Sequence, residues 1–313
     1  MKVILGYSFG RGNPQPWKYF EVPAIMINII DAKKHDFPII DYNGELWVDS
    51  GGFQVLNNGL KLDPKRVAKW QAKYNPDFAI MPDNPKCRRI SLEWYKEYLK
   101  SNPRPENCIP VIHPNWTIKE IDELLALIDS DYIAIGGLVP YFRVPLKRNK
   151  IRDVIEFVMY IKELFGCKIH VLGVGGYHMI PILKVLDVTS FDTSSWIIDA
   201  AYGLIRVGSK AYSVKLKNNG KNPDLPSGFV CNCPACKVFG NDIKKNGIRG
   251  LRARALHNAW NLLNFVREMN KKTTNELVSL IRFRTIKGIL KGFLEKPRTI
   301  SMFSPLPQFF RLK

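Results

Sequence analysis

Leu46-Trp47-Val48-Asp49-Ser50-Gly51-Gly52-Phe53-Gln54 opens as a short apolar run and turns polar at Asp49. An apolar run that stops at a carboxylate, a hydroxyl and a glycine pair reads as a buried strand ending in a loop. The pattern recurs. The run at 78–81 leads into Pro82-Asp83-Asn84, and that at 109–112 into His113-Pro114-Asn115. The run at 132–135 leads into Gly136-Gly137-Leu138, and that at 169–172 into Gly173-Val174-Gly175-Gly176. The run at 189–191 leads into Asp192-Thr193-Ser194-Ser195-Trp196. Two further apolar runs lie at 3–5 and 24–26, and helix-like stretches at 64–74, 92–101, 118–128, 151–164 and 179–186.

Strands alternating with helices imply a parallel sheet. About eight such units before residue 220 favour an α/β fold of the closed (β/α)8 kind, a TIM barrel, over an open doubly wound sheet. No Gly-x-Gly-x-x-Gly follows the first strand, which argues against dinucleotide binding. In this reading residues 1–220 form the barrel, 221–265 a zinc-binding subdomain packed on it, and 266–313 a basic helical tail.

Polar residues gather at the C-terminal ends of the expected strands, the rim where barrels of this kind carry their sites. Asp49, Asp83 and Asp192 share that rim. Paired carboxylates can divide glycosidic chemistry between a nucleophile and an acid/base, and glycine pairs leave room for a flat ligand. Two alternatives stay open at this point. Each aspartate can instead cap the helix that follows it, or the set can hold Mg2+.

The chain has 313 residues and a formal charge of +19, from 47 Lys and Arg against 28 Asp and Glu. Such a balance points to a polyanionic partner, with nucleic acid foremost. Residues 271–313 hold ten Lys or Arg against Glu276 and Glu295, with Phe283, Phe293, Phe303, Phe309 and Phe310 among them. Cations can pair with phosphates while the rings stack on unpaired bases. The competing reading is an amphipathic helix docked by its apolar face. No apolar run reaches the roughly 18–20 residues that a membrane span needs, so no membrane partner is expected. The start, Met1 to Gly6, lacks a signal-peptide pattern, and the expected location is cytoplasmic.

Of the six cysteines, Cys87, Cys108 and Cys167 are isolated and read as buried apolar residues. Cys231-Asn232-Cys233-Pro234-Ala235-Cys236 is different. Thiolates two and three residues apart can turn toward one tetrahedral ion. His257, in a helix-like stretch, is the best fourth ligand. A complete Cys3His set leaves no open position, so the expected Zn2+ is structural.

These motifs resemble the tRNA-guanine transglycosylase family, the queuine and archaeosine tRNA-ribosyltransferases, together with its DNA-acting DpdA-type relatives. The matching pieces are Asp49 to Gln54 (DSGGFQ), Gly136-Gly137-Leu138, Phe191-Asp192, the cysteine cluster and Leu256-His257-Asn258, in the family's order across 49–258. The resemblance implies that Asp192 is the nucleophile and forms a covalent glycosyl-enzyme, and that Asp49 is the general acid/base. Asp83 would read the amino and ring N–H edge of the base. Ser50, Phe53, Gln54, His113, Gly136, Gly137 and Leu138 would line the same pocket. The implied partners are tRNA or DNA, a free guanine or 7-deazaguanine base, and a second copy or partner subunit. Tyr177 and Trp196 are candidates either for base stacking or for the core. The alternative function is a non-catalytic nucleic-acid-binding subunit on the same fold.

Two departures from the family pattern stand out. The family usually carries glutamine where this chain has His113. Val139-Pro140-Tyr141-Phe142, rather than a Gly-Glu pair, follows Gly-Gly-Leu and resembles the archaeal branch. The N-terminal portion reads as shorter than in the tRNA enzymes, with a basic tail in place of an appended RNA-binding domain.

Overall fold

The computed structural model describes residues 1–10, 12–52, 62–85, 87–128, 130–139, 148–214 and 224–295. Phe53 and Gln54 and the tail beyond residue 295 lie outside the described residues.

Nine short strands make one parallel sheet: β1 (Lys2–Tyr7), β2 (Ala24–Asn28), β3 (Glu45–Asp49), β4 (Phe78–Ile80), β5 (Cys108–Ile109), β6 (Val111–Ile112), β7 (Tyr132–Ile135), β8 (Lys168–Val171) and β9 (Ser190–Thr193). The lateral order runs β5-β4-β3-β2-β1-β9-β8-β7-β6. Its two ends, β5 and β6, are consecutive in the chain and separated only by Pro110. The expected strand at 109–112 is therefore split, because proline has no N–H to give to a ladder. The split does not open the barrel. Ile109 O accepts from Met81 N on one side, and Pro110 O accepts from Ala134 N on the other. The barrel closes through this eighth strand.

Strand periodicity sorts side chains to the two faces of the sheet. Val3, Leu5, Ile25, Ile27, Val48, Ile169 and Val171 point outward into the large core shared with the helices. Ile4, Ala24, Met26, Trp47, Ile80, Ile109, Val111, Tyr132 and Ala134 fill the barrel interior. The interior is a packed plug, as in other barrels of this size. Its lower end is polar: Glu45 accepts from Lys2 Nζ at 2.7 Å and from Trp47 Nε1 at 2.7 Å.

The surrounding helices begin at legible caps. In α1 (Ile29–Lys34), Asn28 Oδ1 accepts from Ile30 N and Asp31 N. Asp63 caps α2 (Pro64–Ala72), whose first position is proline, preset for helix entry. Thr117 and Glu120 form a capping box on α4 (Ile118–Leu125), which follows α3 (Arg88–Ser101). The barrel continues with α5 (Arg148–Phe165), α6 (Ile180–Val185) and α7 (Ser195–Ala201). α1 and α7 are not among the helices expected from periodicity.

One helix residue holds the rim directly. Gln71 on α2 is fully buried, and its Nε2 donates to Val48 O and to Ile80 O, 2.9 Å each. Tyr98 on α3 donates to Gln71 Oε1. These bonds satisfy strand carbonyls just before the chain turns into Asp49 and Asp83, which fixes where both loops leave the sheet.

After the barrel come an antiparallel pair, β10 (Leu204–Val207) and β11 (Lys210–Ser213), the short α8 (Pro234–Phe239), and the long α9 (Gly247–Asn270). α10 (Thr274–Leu280) and α11 (Arg284–Glu295) follow. α11 buries Ile286 and Leu290 against the body and leaves Arg284 and Lys291 exposed, so both parts of the amphipathic reading hold for its described residues. No helix among the described residues is long and apolar enough to cross a membrane.

Candidate active site and metal centre

Asp49 ends β3 and Asp192 lies near the end of β9. β1 and β2 separate those strands in the sheet, and their upper ends floor the space between the two carboxylates. Asp49, Asp192, Asn28, Asp31, Gly6 and Ser194 line one open cleft of about 360 Å³.

Each carboxylate is held by one of its oxygens. Asp49 Oδ2 accepts from Asn28 Nδ2 at 2.6 Å and from Gly51 N at 3.2 Å. Asp192 Oδ1 accepts from Gly173 N at 2.7 Å. Burial, reinforced by the nearby negative charge of Asp192, pushes the Asp49 carboxyl up to about 7. A carboxyl poised there can both give and take a proton near neutral pH.

Asp83 follows β4 and belongs to the same charge set, adding to the upward pressure on Asp49. Its Oδ2 lies 2.7 Å from His113 Nε2, and both side chains are buried. The glycine pair after β7 explains how His113 fits. A Cβ on Gly136 would stand 2.9 Å from both His113 Cε1 and Val111, and Gly137 sits at φ +72° with its open side against His113 Nδ1. His113 therefore packs flat on a backbone bare of side chains. Leu138 turns away, its side chain buried in the barrel–helix core. Ser50 is buried beneath the rim, where its Oγ accepts from Gly52 N at 3.4 Å. Tyr177 and Trp196 are core residues: both are buried, and Trp196 Nε1 donates to Gly6 O.

Asn28 and His170 are site components that the sequence reading did not single out, and Gly173, placed at the rim there, acts through its backbone N–H. Asn28 follows its strand as Asp49 follows β3, so the same rim rule reaches it. His170 sits inside an apolar run and carries no such signal.

The four expected metal ligands converge. The ligand atoms of Cys231, Cys233, Cys236 and His257 all lie within 4.8 Å of one another. His257 Nδ1 is 3.5 Å from both Cys233 Sγ and Cys236 Sγ, while its Nε2 donates to Arg206 O at 2.7 Å. That outer bond fixes the tautomer and leaves the Nδ1 lone pair facing the sulfurs, the usual support for a metal-bound imidazole. Cys233 N and Cys236 N point at the sulfurs of Cys231 and Cys233. The donor set fits a closed tetrahedral ion.

Asn258, next along α9, fastens this region to the barrel. Its Oδ1 accepts from Arg206 N at 2.8 Å, and its Nδ2 donates to Leu204 O at 3.0 Å and Trp196 O at 3.3 Å.

No family model matches the chain. It is 25% identical over 260 residues to the tRNA-guanine(15) transglycosylase of Aeropyrum pernix, covering 78% of this chain and 48% of that protein. With the enzyme of the same name from Sulfolobus acidocaldarius it shares 22% identity over 276 residues, 80% of this chain and 53% of that one. It is also 28% identical over 184 residues to uncharacterized protein 306 of Sulfolobus islandicus rod-shaped virus 1, covering 57% and 56%. The chain spans about half the length of the curated relatives it matches. A similarity that repeats across several archaeal enzymes of one name, on a barrel with the rim aspartates and the Cys3His cluster in place, supports membership in the tRNA-guanine transglycosylase family.

Proposed function

We propose that the protein is a guanine transglycosylase that exchanges an encoded guanine in nucleic acid for a 7-deazaguanine base. The observation that carries this reading is the pair Asp49 and Asp192 in one open cleft, with Asp49 raised to about 7 and each carboxylate held by one oxygen only.

Asp192 attacks C1′ of the target nucleotide, and the C1′–N bond breaks. The departing guanine takes its electron pair and a proton from Asp49, leaving a covalent glycosyl-enzyme. The incoming base then gives its proton to Asp49 and attacks C1′, releasing the Asp192 carboxylate. Two displacements at one carbon retain configuration. The target base leaves its stack to reach the rim. Asp83 reads the amino and N–H edge of the base, with His113 behind it. The names of the archaeal relatives favour tRNA as the polymer.

Cys231, Cys233, Cys236 and His257 would hold Zn2+, which supplies no chemistry in the cleft and ties α8 to α9. The positive charge of the chain complements a polyanion.

Incubation with labelled guanine and either bulk tRNA or duplex DNA tests the proposal. Incorporation is expected with tRNA, abolished in Asp192→Ala and cut by about 100-fold or more in Asp49→Ala. Incorporation into DNA alone moves the substrate to DNA. Normal exchange by Asp192→Ala sinks the assignment.

A further inference from the structure

Inside the barrel, one level below Asp192, lies an imidazole that the mechanism above does not use. His170 is fully buried on β8. Its ring lies 4.7 Å from the Trp47 ring at an interplanar angle of 33°. His170 and Ser190 are register partners on β8 and β9, and His170 Nδ1 stands 2.9 Å from Ser190 Oγ. Nε2 is 3.4 Å from Asp192 Oδ1, an ion-pair distance without hydrogen-bond alignment, and has no hydrogen-bond partner among the described residues.

We propose that His170 is a positioning residue for Asp192. It holds Oδ1 from beneath and so leaves Oδ2 as the oxygen that attacks. The inference rests on the transglycosylase reading for what Asp192 does, but not for the geometry.

Hydrogen-bond inventory sets the direction of the chain. An ionised carboxylate only accepts, so the nitrogen facing it must carry the proton. With Nε2 protonated, Nδ1 of a neutral ring is an acceptor, and the Ser190 hydroxyl donates to it. The order reads Ser190 O–H to His170 Nδ1, with His170 Nε2–H left facing Asp192 Oδ1 and without a hydrogen-bond partner. Gly173 N reaches the same Oδ1 at 2.7 Å. One hydrogen bond and one ion-pair contact thus converge on Oδ1, while Oδ2 has no hydrogen bond among the described residues.

The arrangement serves a nucleophile. Rotation of Asp192 about its side-chain bonds would place the attacking oxygen off line, and a misplacement of about 1 Å can cost about 100-fold in rate. An imidazole packed against Trp47 and facing Oδ1 restricts that rotation. At 3.4 Å the two groups face one another without a hydrogen bond, so the contact leaves the charge of Asp192 available when C1′ is attacked.

Substitutions that place an amide nitrogen at one ring position or the other test the inference. Glutamine carries its nitrogen near Nε2, whereas asparagine carries it near Nδ1. His170→Gln is expected to keep exchange within about threefold of wild type. His170→Asn and His170→Phe should lose between about 10- and 100-fold in kcat with KM for guanine unchanged. Ser190→Ala should give a smaller loss in kcat and is the variant to use where the others misfold. Nitrogen-15 NMR of the histidines, five in all, gives a readout apart from activity. The resonance missing from His170→Gln should be that of an Nε2–H tautomer, and it should shift in Asp192→Asn. A folded His170→Phe with unaltered kcat overturns the inference, as does an Nδ1–H tautomer. Wild-type protein that exchanges no base on any polymer overturns the transglycosylase reading instead, and the tautomer alone then decides His170.

Discussion

His113 Nε2 stands 2.7 Å from Asp83 Oδ2 in a buried pair, so the imidazole at this position braces a carboxylate and is not free to meet a base. Asp83 keeps Oδ1 beside the Gly52 backbone, where a Cβ would lie 3.2 Å away. Removing the imidazole would leave a buried carboxylate without its partner, at a cost of about 1–3 kcal/mol. His113→Ala is therefore expected to lower stability by that amount and to raise KM for guanine by about tenfold or more, with Asp83→Asn raising KM similarly. Denaturant titration and steady-state exchange measure the two effects. Unchanged KM in a folded His113→Ala would separate the pair from base recognition.

Asp49 makes the protein sensitive to pH in a defined direction. Its carboxyl sits near 7 in the folded chain against 3.8 for the free group, chiefly through burial and then through the charge of Asp192. Between those values the folded state keeps a proton that the unfolded state has released, so its contribution to stability is full below about pH 4 and is lost as pH rises through 7. The loss is on the order of 4 kcal/mol at most, and less where solvent in the cleft screens the charge. Asp49→Asn removes this titration. Stability of wild type relative to Asp49→Asn should fall from pH 4 to pH 7, as read from chemical denaturation. Asp192→Asn should shrink the effect by removing a repelling charge. Exchange itself should be fastest near pH 7, where Asp49 can serve both half-reactions.

The barrel was legible because its signal is repeated. Every expected apolar run coincides with a strand, and only Pro110 divides one, for the reason that proline always gives. The rim carboxylates were legible as positions because a polar residue directly after an apolar run has to leave the sheet. Their partners were not. The pairing of His113 with Asp83 depends on the bare backbone of Gly136 and Gly137 one strand away, and no spacing within a single segment records it. His170 was invisible for another reason. One polar residue in an inward-facing register looks like an interruption of a strand until the neighbouring Trp47 and Ser190 are seen. The Cys3His cluster is the opposite case, since three of its four members are consecutive in the motif and only His257 had to be sought at a distance.

Asn258 carries a stability prediction that does not depend on any catalytic reading. Its amide makes three hydrogen bonds to the backbone at Arg206, Leu204 and Trp196, all in a buried setting. It therefore joins α9 to both α7 and β10. Asn258→Ala removes the partner of the Arg206 N–H and of the Leu204 carbonyl, and each such buried group costs about 1–3 kcal/mol when no water replaces the bond. A loss on the order of 3–5 kcal/mol is expected, and Asn258→Asp should recover only the bond from Arg206 N. A substitution at the exposed Arg267 on the same helix serves as the control and should change stability by less than about 0.5 kcal/mol. Equal stability of Asn258→Ala and wild type in thermal denaturation would contradict the role assigned to this residue.

The metal cluster and Asn258 act on the same helix. His257 reaches the sulfurs with Nδ1 and the Arg206 carbonyl with Nε2, so the residue beside Asn258 is tied to the same β10 backbone from which Asn258 accepts a hydrogen bond. Elemental analysis should find one zinc per chain. Cys233 is the most buried of the three cysteines and caps α8, its Sγ accepting from Cys236 N. Cys233→Ser offers a harder, less easily deprotonated ligand and should lower zinc affinity by well over tenfold. Stripping the ion with a strong chelator should lower the unfolding temperature and expose α8 and the start of α9 to hydrogen exchange. The barrel strands should stay protected, because their bonds close the sheet without the metal region. The cleft should then still bind guanine, while affinity for the polymer falls. Loss of guanine binding in step with loss of zinc would instead place the ion within the chemistry of the cleft. Complete retention of structure and polymer binding in zinc-free protein would show that Asn258 and the α9 packing hold this region unaided.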